Sequence, residues 1–220
     1  MRRTIAKRMT ESWQTTPHFM LTVEADVSEM KSLRTQWLPL IKKMTGERPT
    51  YTDFLIKIAA MALKKHPGVN SSWTDKGIRM NQHINIGMAV AVKNGLIVPI
   101  IKDAGSKSLS EITATRADIS RRAAESKIMP DEMKGGSMTI TNLGMYGIDH
   151  FIAVINPPES CILSVGRMVD KALVVDGEIK IRPTMTFVLS IDHRVVDGAT
   201  GSRFLQDIKN MIENPILMSL

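Results

Sequence analysis

From Ser137 to Ile191 the chain offers little except strands. The segments Ser137–Thr141, Phe151–Ile155, Ser160–Val165, Met168–Val175, Ile179–Ile181 and Thr184–Ile191 succeed one another without helical periodicity between them. Asp176-Gly177 marks a tight hairpin within this series. A run of strands with no helix between them is not a βαβα alternation, which excludes a doubly wound Rossmann-type sheet. No Gly-rich dinucleotide or phosphate-loop pattern occurs either.

Helices are expected before and after that block. Arg2 to about Trp13 places Ile5, Met9 and Trp13 on one face, and Pro17 ends the helix. Phe19–Val27 alternates like a strand. Ser28 can cap a helix reaching Met44, with Glu29 and Lys42-Lys43 matched to its dipole. Asp53–Lys65 is apolar on most sides and is expected to be buried. Two hairpins follow, Ser71–Thr74 with Ile78–Met80, and Ile84–Val92 with Leu96–Ile101 around Lys93-Asn94-Gly95. Ser108 and Glu111 form a capping box for a helix to about Ser126. Ala199 to about Asn214 closes the chain, ahead of Pro215. The expected class is α/β, a mixed sheet with flanking helices, in one domain over residues 1–220.

With 220 residues the chain suffices for one substantial core. No apolar run approaches the roughly 20 residues that cross a bilayer, and no apolar signal core follows the N-terminal arginines. No membrane partner is therefore expected. Cys161 is the single cysteine, which rules out an internal disulfide and suits a reducing compartment. A cytoplasmic location is expected, or the mitochondrial matrix or a plastid in a eukaryote. The net charge of +7 is carried by basic residues spread along the chain, some as doublets, with only 5% aromatic residues. That pattern fits a solvated surface, with a few positions for a polyanionic ligand, and does not fit nucleic-acid binding. No pair of histidines has metal-ligand spacing.

The strand Thr184–Ile191 runs into Asp192-His193-Arg194-Val195-Val196-Asp197-Gly198. A histidine at a strand-to-helix turn, beside carboxylates and a guanidinium, has the parts of a general base. On spacing alone, a solvated loop with a surface salt bridge fits equally well.

HxxxDG within this segment resembles the active-site motif of dihydrolipoamide acyltransferase catalytic domains. These are the E2 components of 2-oxo acid dehydrogenase complexes, relatives of chloramphenicol acetyltransferase. The resemblance extends, in order, over Arg2–Met9, Pro17-His18-Phe19, Asn85-Ile86-Gly87, Gly95–Pro99, Thr139–Gly144, Ile155-Asn156-Pro157-Pro158 and Gly166-Arg167. It implies a trimer-forming, chloramphenicol acetyltransferase-like fold. It also implies acyl transfer between dihydrolipoamide and coenzyme A, with the lipoyl group on a separate domain. The lipoyl and subunit-binding domains of such proteins have no counterpart in residues 1–220.

The resemblance assigns His193 as general base and Thr141 as the hydroxyl that meets the oxyanion, with the two supplied by neighbouring chains of a homotrimer. Asp197 is read as an orienter of His193, and Arg194 and Asp192 as organisers of the loop. Arg34, Thr50, Asn142 and Gly166 are the implied coenzyme contacts, although Arg34 fits a solvated helix face equally well. Many relatives carry an aspartate where this chain has Ala91, so Arg194 needs another partner, Asp192 or Asp197. Met145 replaces a polar residue of some relatives. His18 is expected to shape the site, and Cys161 to be an inert buried thiol. Trimers are expected to build a core of 24-mer or 60-mer type, with Ile216, Leu217, Met218 and Leu220 as candidate contacts. E1 and E3 components are expected to bind through other domains. An acetyl or branched-chain acyl group is favoured over succinyl, because no dedicated cation is evident for a second carboxylate. A stand-alone acetyltransferase on a small acceptor and a catalytically silent scaffold subunit are the alternatives.

Overall fold

The computed structural model describes residues 2–93 and 95–219. Helix α1 (Arg2–Thr15) leads to strand β1 (His18–Asp26), then to α2 (Ser28–Thr45) and α3 (Tyr51–Lys65). Short strands follow: β2 (Ser71–Thr74), β3 (Gly77–Met80), β4 (Ile86–Met88), β5 (Val90–Val92), β6 (Gly95–Ile97) and β7 (Ile100–Ile101). Helix α4 (Leu109–Ala124) precedes β8 (Met138–Asn142), the long strands β9 (Cys161–Val175) and β10 (Glu178–Asp192), and helix α5 (Gly198–Glu213).

Six strands form one mixed sheet in the order β1-β10-β9-β8-β4-β7. β1, β10 and β9 are antiparallel, β9, β8 and β4 parallel, and β7 closes the edge antiparallel. The period-two alternation of β9 and β10 divides the residues between two faces. Cys161, Leu163, Val165, Phe187, Leu189 and Ile191 join one core with Phe54, Leu55 and Ile58 of α3 and Phe204, Leu205 and Ile208 of α5. Each large side chain buried there contributes roughly 1.5–3 kcal/mol. The register puts Thr139, Thr141, Ile162, Ser164, Val188, Ser190 and Asp192 on the opposite face. That face is poor in large apolar side chains.

Several boundaries differ from expectation. Phe151–Ile155 is not a strand; it belongs to an irregular crossover between parallel β8 and β9. The crossover is tied down where Ile155 N–H donates to His18 Nε2 (3.2 Å) and Ser12 Oγ donates to Ile155 O (2.7 Å). The paired segments on each side of Gly166 and of Pro183 fuse into single strands. Pro183 is tolerated because its carbonyl accepts from Val27 N (2.9 Å), just past the end of β1. Its missing N–H would point to the same side, where no strand acceptor remains. Ile84–Val92 and Leu96–Ile101 each break in two: β4 and β7 stay in the main sheet, while β5 and β6 leave it as a separate hairpin. Asn94 of that turn lies outside the described residues. Asp176 and Gly177 both adopt positive φ (56° and 79°), as a two-residue hairpin requires.

Ser28 is not the cap of α2. Val27 holds that position, and Asp26 Oδ1 accepts from Ser28 N (2.8 Å). The capping box of α4 forms as expected, with Ser108 N donating to Glu111 Oε2 (2.8 Å) and Glu111 N to Ser108 Oγ (3.3 Å). Leu217 and Met218 fold back onto the protein's own core, whereas Ile216 is 68% exposed; Leu220 lies outside the described residues. Among the described residues no helix is long and apolar enough to cross a membrane.

Candidate active site

β10 ends at Asp192, whose N–H donates to Ser160 O (2.8 Å). The chain then leaves the sheet. His193 N–H donates to Pro17 O (3.0 Å), and the Val195 and Val196 N–H groups turn back onto Asp192 O. The His193 ring is exposed and stands edge-on to Phe19, centroids 5.4 Å apart.

Buried Asp192 accepts from Arg194 Nε (2.9 Å) and Nη2 (2.7 Å) in a bidentate fork. The guanidinium also lies over Trp73, 5.3 Å from the ring centroid. Asp192 is therefore the partner of Arg194, and no aspartate at Ala91 is needed to hold it. Asp197 does not touch the His193 ring. It is the N-cap of α5, accepting from Thr200 N (2.7 Å), and that backbone N–H holds its carboxyl below the usual range.

Thr141 sits at the far end of β8, in the wall of a cleft of about 500 Å³ that Thr50, Ala91, Asn142, Met145 and Tyr146 also line. The Thr50 hydroxyl is buried without a hydrogen-bond partner, while Thr50 N donates to Asp53 Oδ2 (2.7 Å). Asn142 Oδ1 accepts from Gly144 N (2.9 Å), which fixes the side-chain orientation. Arg34 stands behind the wall, donating from Nε to Pro49 O (2.9 Å), with its guanidinium 5.0 Å from the Tyr51 ring centroid. Gly166 is a close-approach glycine, but the group that approaches is the protein's own Asp149 carbonyl, 1.8 Å from where a Cβ would stand. It does not line the cleft.

The two halves of the expected site lie apart. Thr141 is in register with Ser164 of β9, and Ser164 with Val188 of β10. His193 follows five residues after Val188. At ~3.3 Å per residue that is about 16 Å along the sheet, with two strand spacings of ~4.8 Å between. A general base and an oxyanion donor of one chain cannot reach the same carbonyl across that gap.

Two residues were not singled out from the sequence. Arg116 lines the cleft and pairs with fully buried Asp53 (Nε–Oδ1 2.9 Å), and it also donates to Arg48 O. Glu159, near the end of the crossover, is buried, accepts from Thr139 Oγ1 (2.6 Å) and is pushed up to about 7 by burial. Its one sequence signal is an acid placed two residues ahead of the apolar start of β9. The Cys161 thiol is pushed up to about 12 by burial, which leaves it without thiolate character. His18 is held on both ring nitrogens, with Nδ1 2.8 Å from Thr16 O and Nε2 accepting from Ile155 N. His66 and His83 pair with Asp207 and Asp103. Among the described residues no cluster of His, Cys, Asp and Glu is placed to hold a metal ion.

The family model for the 2-oxoacid dehydrogenases acyltransferase (catalytic domain) matches residues 1–220. The dihydrolipoyllysine-residue acetyltransferase component of the pyruvate dehydrogenase complex of Rickettsia felis is 42% identical over 218 residues, covering 99% of this chain and 53% of that protein. This chain thus spans about half the length of the curated relatives it matches. The dihydrolipoamide acetyltransferase of Azotobacter vinelandii superposes with a TM-score of 0.95 at 30% identity, covering 100% of this chain and 90% of that one. The cubic core of the pyruvate dehydrogenase multienzyme complex matches with a TM-score of 0.95 at 31% identity and the same coverage. Chloramphenicol acetyltransferase, at 13% identity and a TM-score of 0.57 over 94% of each chain, shares the fold alone. The chain belongs to the acyltransferase catalytic-domain family of the 2-oxo acid dehydrogenases.

Proposed function

We propose that this domain transfers an acyl group between dihydrolipoamide and coenzyme A as the core of a 2-oxo acid dehydrogenase complex. One observation carries the reading. The study of the Azotobacter vinelandii enzyme concerns a serine, a histidine and an asparagine in its catalytic mechanism, the serine 52 residues before the histidine and the asparagine four after it. Here Thr141 and Asp197 stand at those same spacings from His193. Threonine keeps the hydroxyl, and aspartate, like asparagine, is a strong helix N-cap.

In this mechanism His193 takes the proton of the incoming thiol, because the thiolate is the nucleophile. The sulfur adds to the thioester carbonyl and a tetrahedral oxyanion forms. The Thr141 hydroxyl of a neighbouring chain donates to that oxygen. Collapse breaks the old carbon–sulfur bond, and the departing thiolate recovers the proton from His193. Thr50 and Asn142, which line the Thr141 cleft, and Arg34 behind its wall are the proposed coenzyme contacts, whereas Gly166 supports the fold.

The separation of His193 from Thr141 supports a homotrimer with sites between chains. The likeness to a cubic core supports further assembly into a closed multimer of 24-mer or 60-mer type. The lipoyl group arrives on its own domain, and E1 and E3 components bind outside this chain. The cation of the cleft wall, Arg116, is already matched by Asp53. This favours an uncharged acyl group, acetyl above branched-chain given the acetyltransferase relatives. The thiol chemistry suits a reducing compartment, the cytoplasm or an organelle matrix.

The test mixes two inactive variants. His193→Ala and Thr141→Ala should each lower transacylation by about 10²-fold or more with the fold intact. Co-assembled from a mixture, they should recover activity that neither shows alone. Near-normal turnover in His193→Ala alone, or no recovery on co-assembly, refutes the shared site.

A further inference from the structure

Three acidic side chains are buried among the described residues: Asp53, Asp192 and Glu159. The first two are each matched by an arginine fork. Glu159 is not. Its Oε2 accepts from Thr139 Oγ1 (2.6 Å) and its Oε1 from Asn156 Nδ2 (3.3 Å), and among the described residues no cation lies within ion-pair distance. Keeping a carboxyl there without a matching charge costs stability.

Two glycines shape the space around it. A Cβ at Gly136 would stand 2.4 Å from Glu159 Oε1, and one at Gly87 would stand 2.7 Å from Thr139 Oγ1. Backbone thus closes on the pair at Gly136, just ahead of β8, and at Gly87 in β4. The location is equally specific. Thr139 precedes Thr141 by two residues and shares its face of β8. Ser160, next to Glu159, accepts through its carbonyl from Asp192 N, the residue before His193.

We propose that Glu159 is a positioning residue for acyl transfer. Its carboxyl fixes the Thr139 hydroxyl, and with it the strand end that presents Thr141. It also anchors the Ser160–Asp192 contact from which the His193 turn departs. This inference rests on the acyl-transfer reading above. The charged and titratable groups that face Glu159 are Arg8 of α1, which is also bonded to Pro157 O, and the Cys161 thiol of β9. Burial outweighs Arg8 and the two hydrogen bonds, so Glu159 changes from neutral to charged near neutral pH. Neutral, it carries a proton on one oxygen; ionised, it accepts on both. Turnover should therefore feel the ionisation of Glu159.

The experiment measures kcat and KM for coenzyme A with acetyl-dihydrolipoamide on the assembled protein, between about pH 5.5 and 8.5, for wild type, Glu159→Ala, Glu159→Gln and His193→Ala. Glu159→Ala should lower kcat about 10- to 100-fold, with KM changed much less, as expected for a misplaced catalytic group. Glu159→Gln keeps an acceptor for Thr139. It should restore most of that rate and lose the Glu159 ionisation from the pH profile. A Glu159→Ala kcat equal to wild type, or a Glu159→Gln profile that superimposes on wild type, overturns the proposal. If Glu159→Ala does not assemble, the Glu159→Gln profile decides. Full activity in His193→Ala would instead sink the acyl-transfer mechanism, a distinct outcome.

Discussion

Replacing Glu159 with glutamine removes a titrating proton and little else, so the variant isolates the energetic cost of the buried carboxyl. The folded carboxyl is pushed from 4.5 to about 7 by burial. At ~1.4 kcal/mol per pH unit, the gap corresponds to about 3 kcal/mol. The sign follows from which state binds the proton more tightly. A folded acid with a raised pKa contributes its full stability below about pH 4.5 and loses it as the pH rises through about 7. Wild type should therefore weaken relative to Glu159→Gln by up to about 3 kcal/mol between pH 5 and 8. Every other titrating group is common to both proteins and cancels in the difference. Urea unfolding at equal subunit concentration, followed by circular dichroism and tryptophan fluorescence across that range, gives the two curves. Parallel curves, or a wild type that gains on the variant as the pH rises, would refute the assignment of an unmatched buried acid.

Two further outcomes follow from buried groups elsewhere. Asp53→Ala should cost about 3–5 kcal/mol in urea unfolding, because it strands the Arg116 guanidinium, and Arg116→Met in the same chain should recover part of that loss. Cys161, with its thiol pushed up to about 12, should resist alkylation at pH 8 in the folded protein and react at once in urea.

Features set by near neighbours were legible in the chain. The Asp176-Gly177 turn, the Ser108–Glu111 capping box and the apolar α3 helix each depend on residues within a few positions. So does the Asp192–Arg194 fork, two residues apart, although the chain alone left Asp197 as an equal candidate. The Asp197 carboxyl meets the Thr200 N–H instead of the His193 ring, and that partner exists only once α5 has formed. Breaks within strands were invisible for a different reason. β4 stays with β8, where Ala89 N donates to Ile140 O some fifty residues later, while β5 pairs with β6. Glu159 and Thr139 meet only when the crossover lies down over the sheet. Nothing in the local pattern of either residue announces the other.

The distance between His193 and Thr141 along the sheet also bears on how mixed populations of this protein should behave. A chain whose imidazole serves one reaction centre and whose hydroxyl serves another is a shareholder in two sites. In a ring of three, a chain lacking one group should disable one site and leave two working. A chain lacking both should disable two of the three. Impairment should therefore depend on which lesions travel together in one chain, and a doubly damaged copy should behave as a dominant inhibitor of its healthy neighbours.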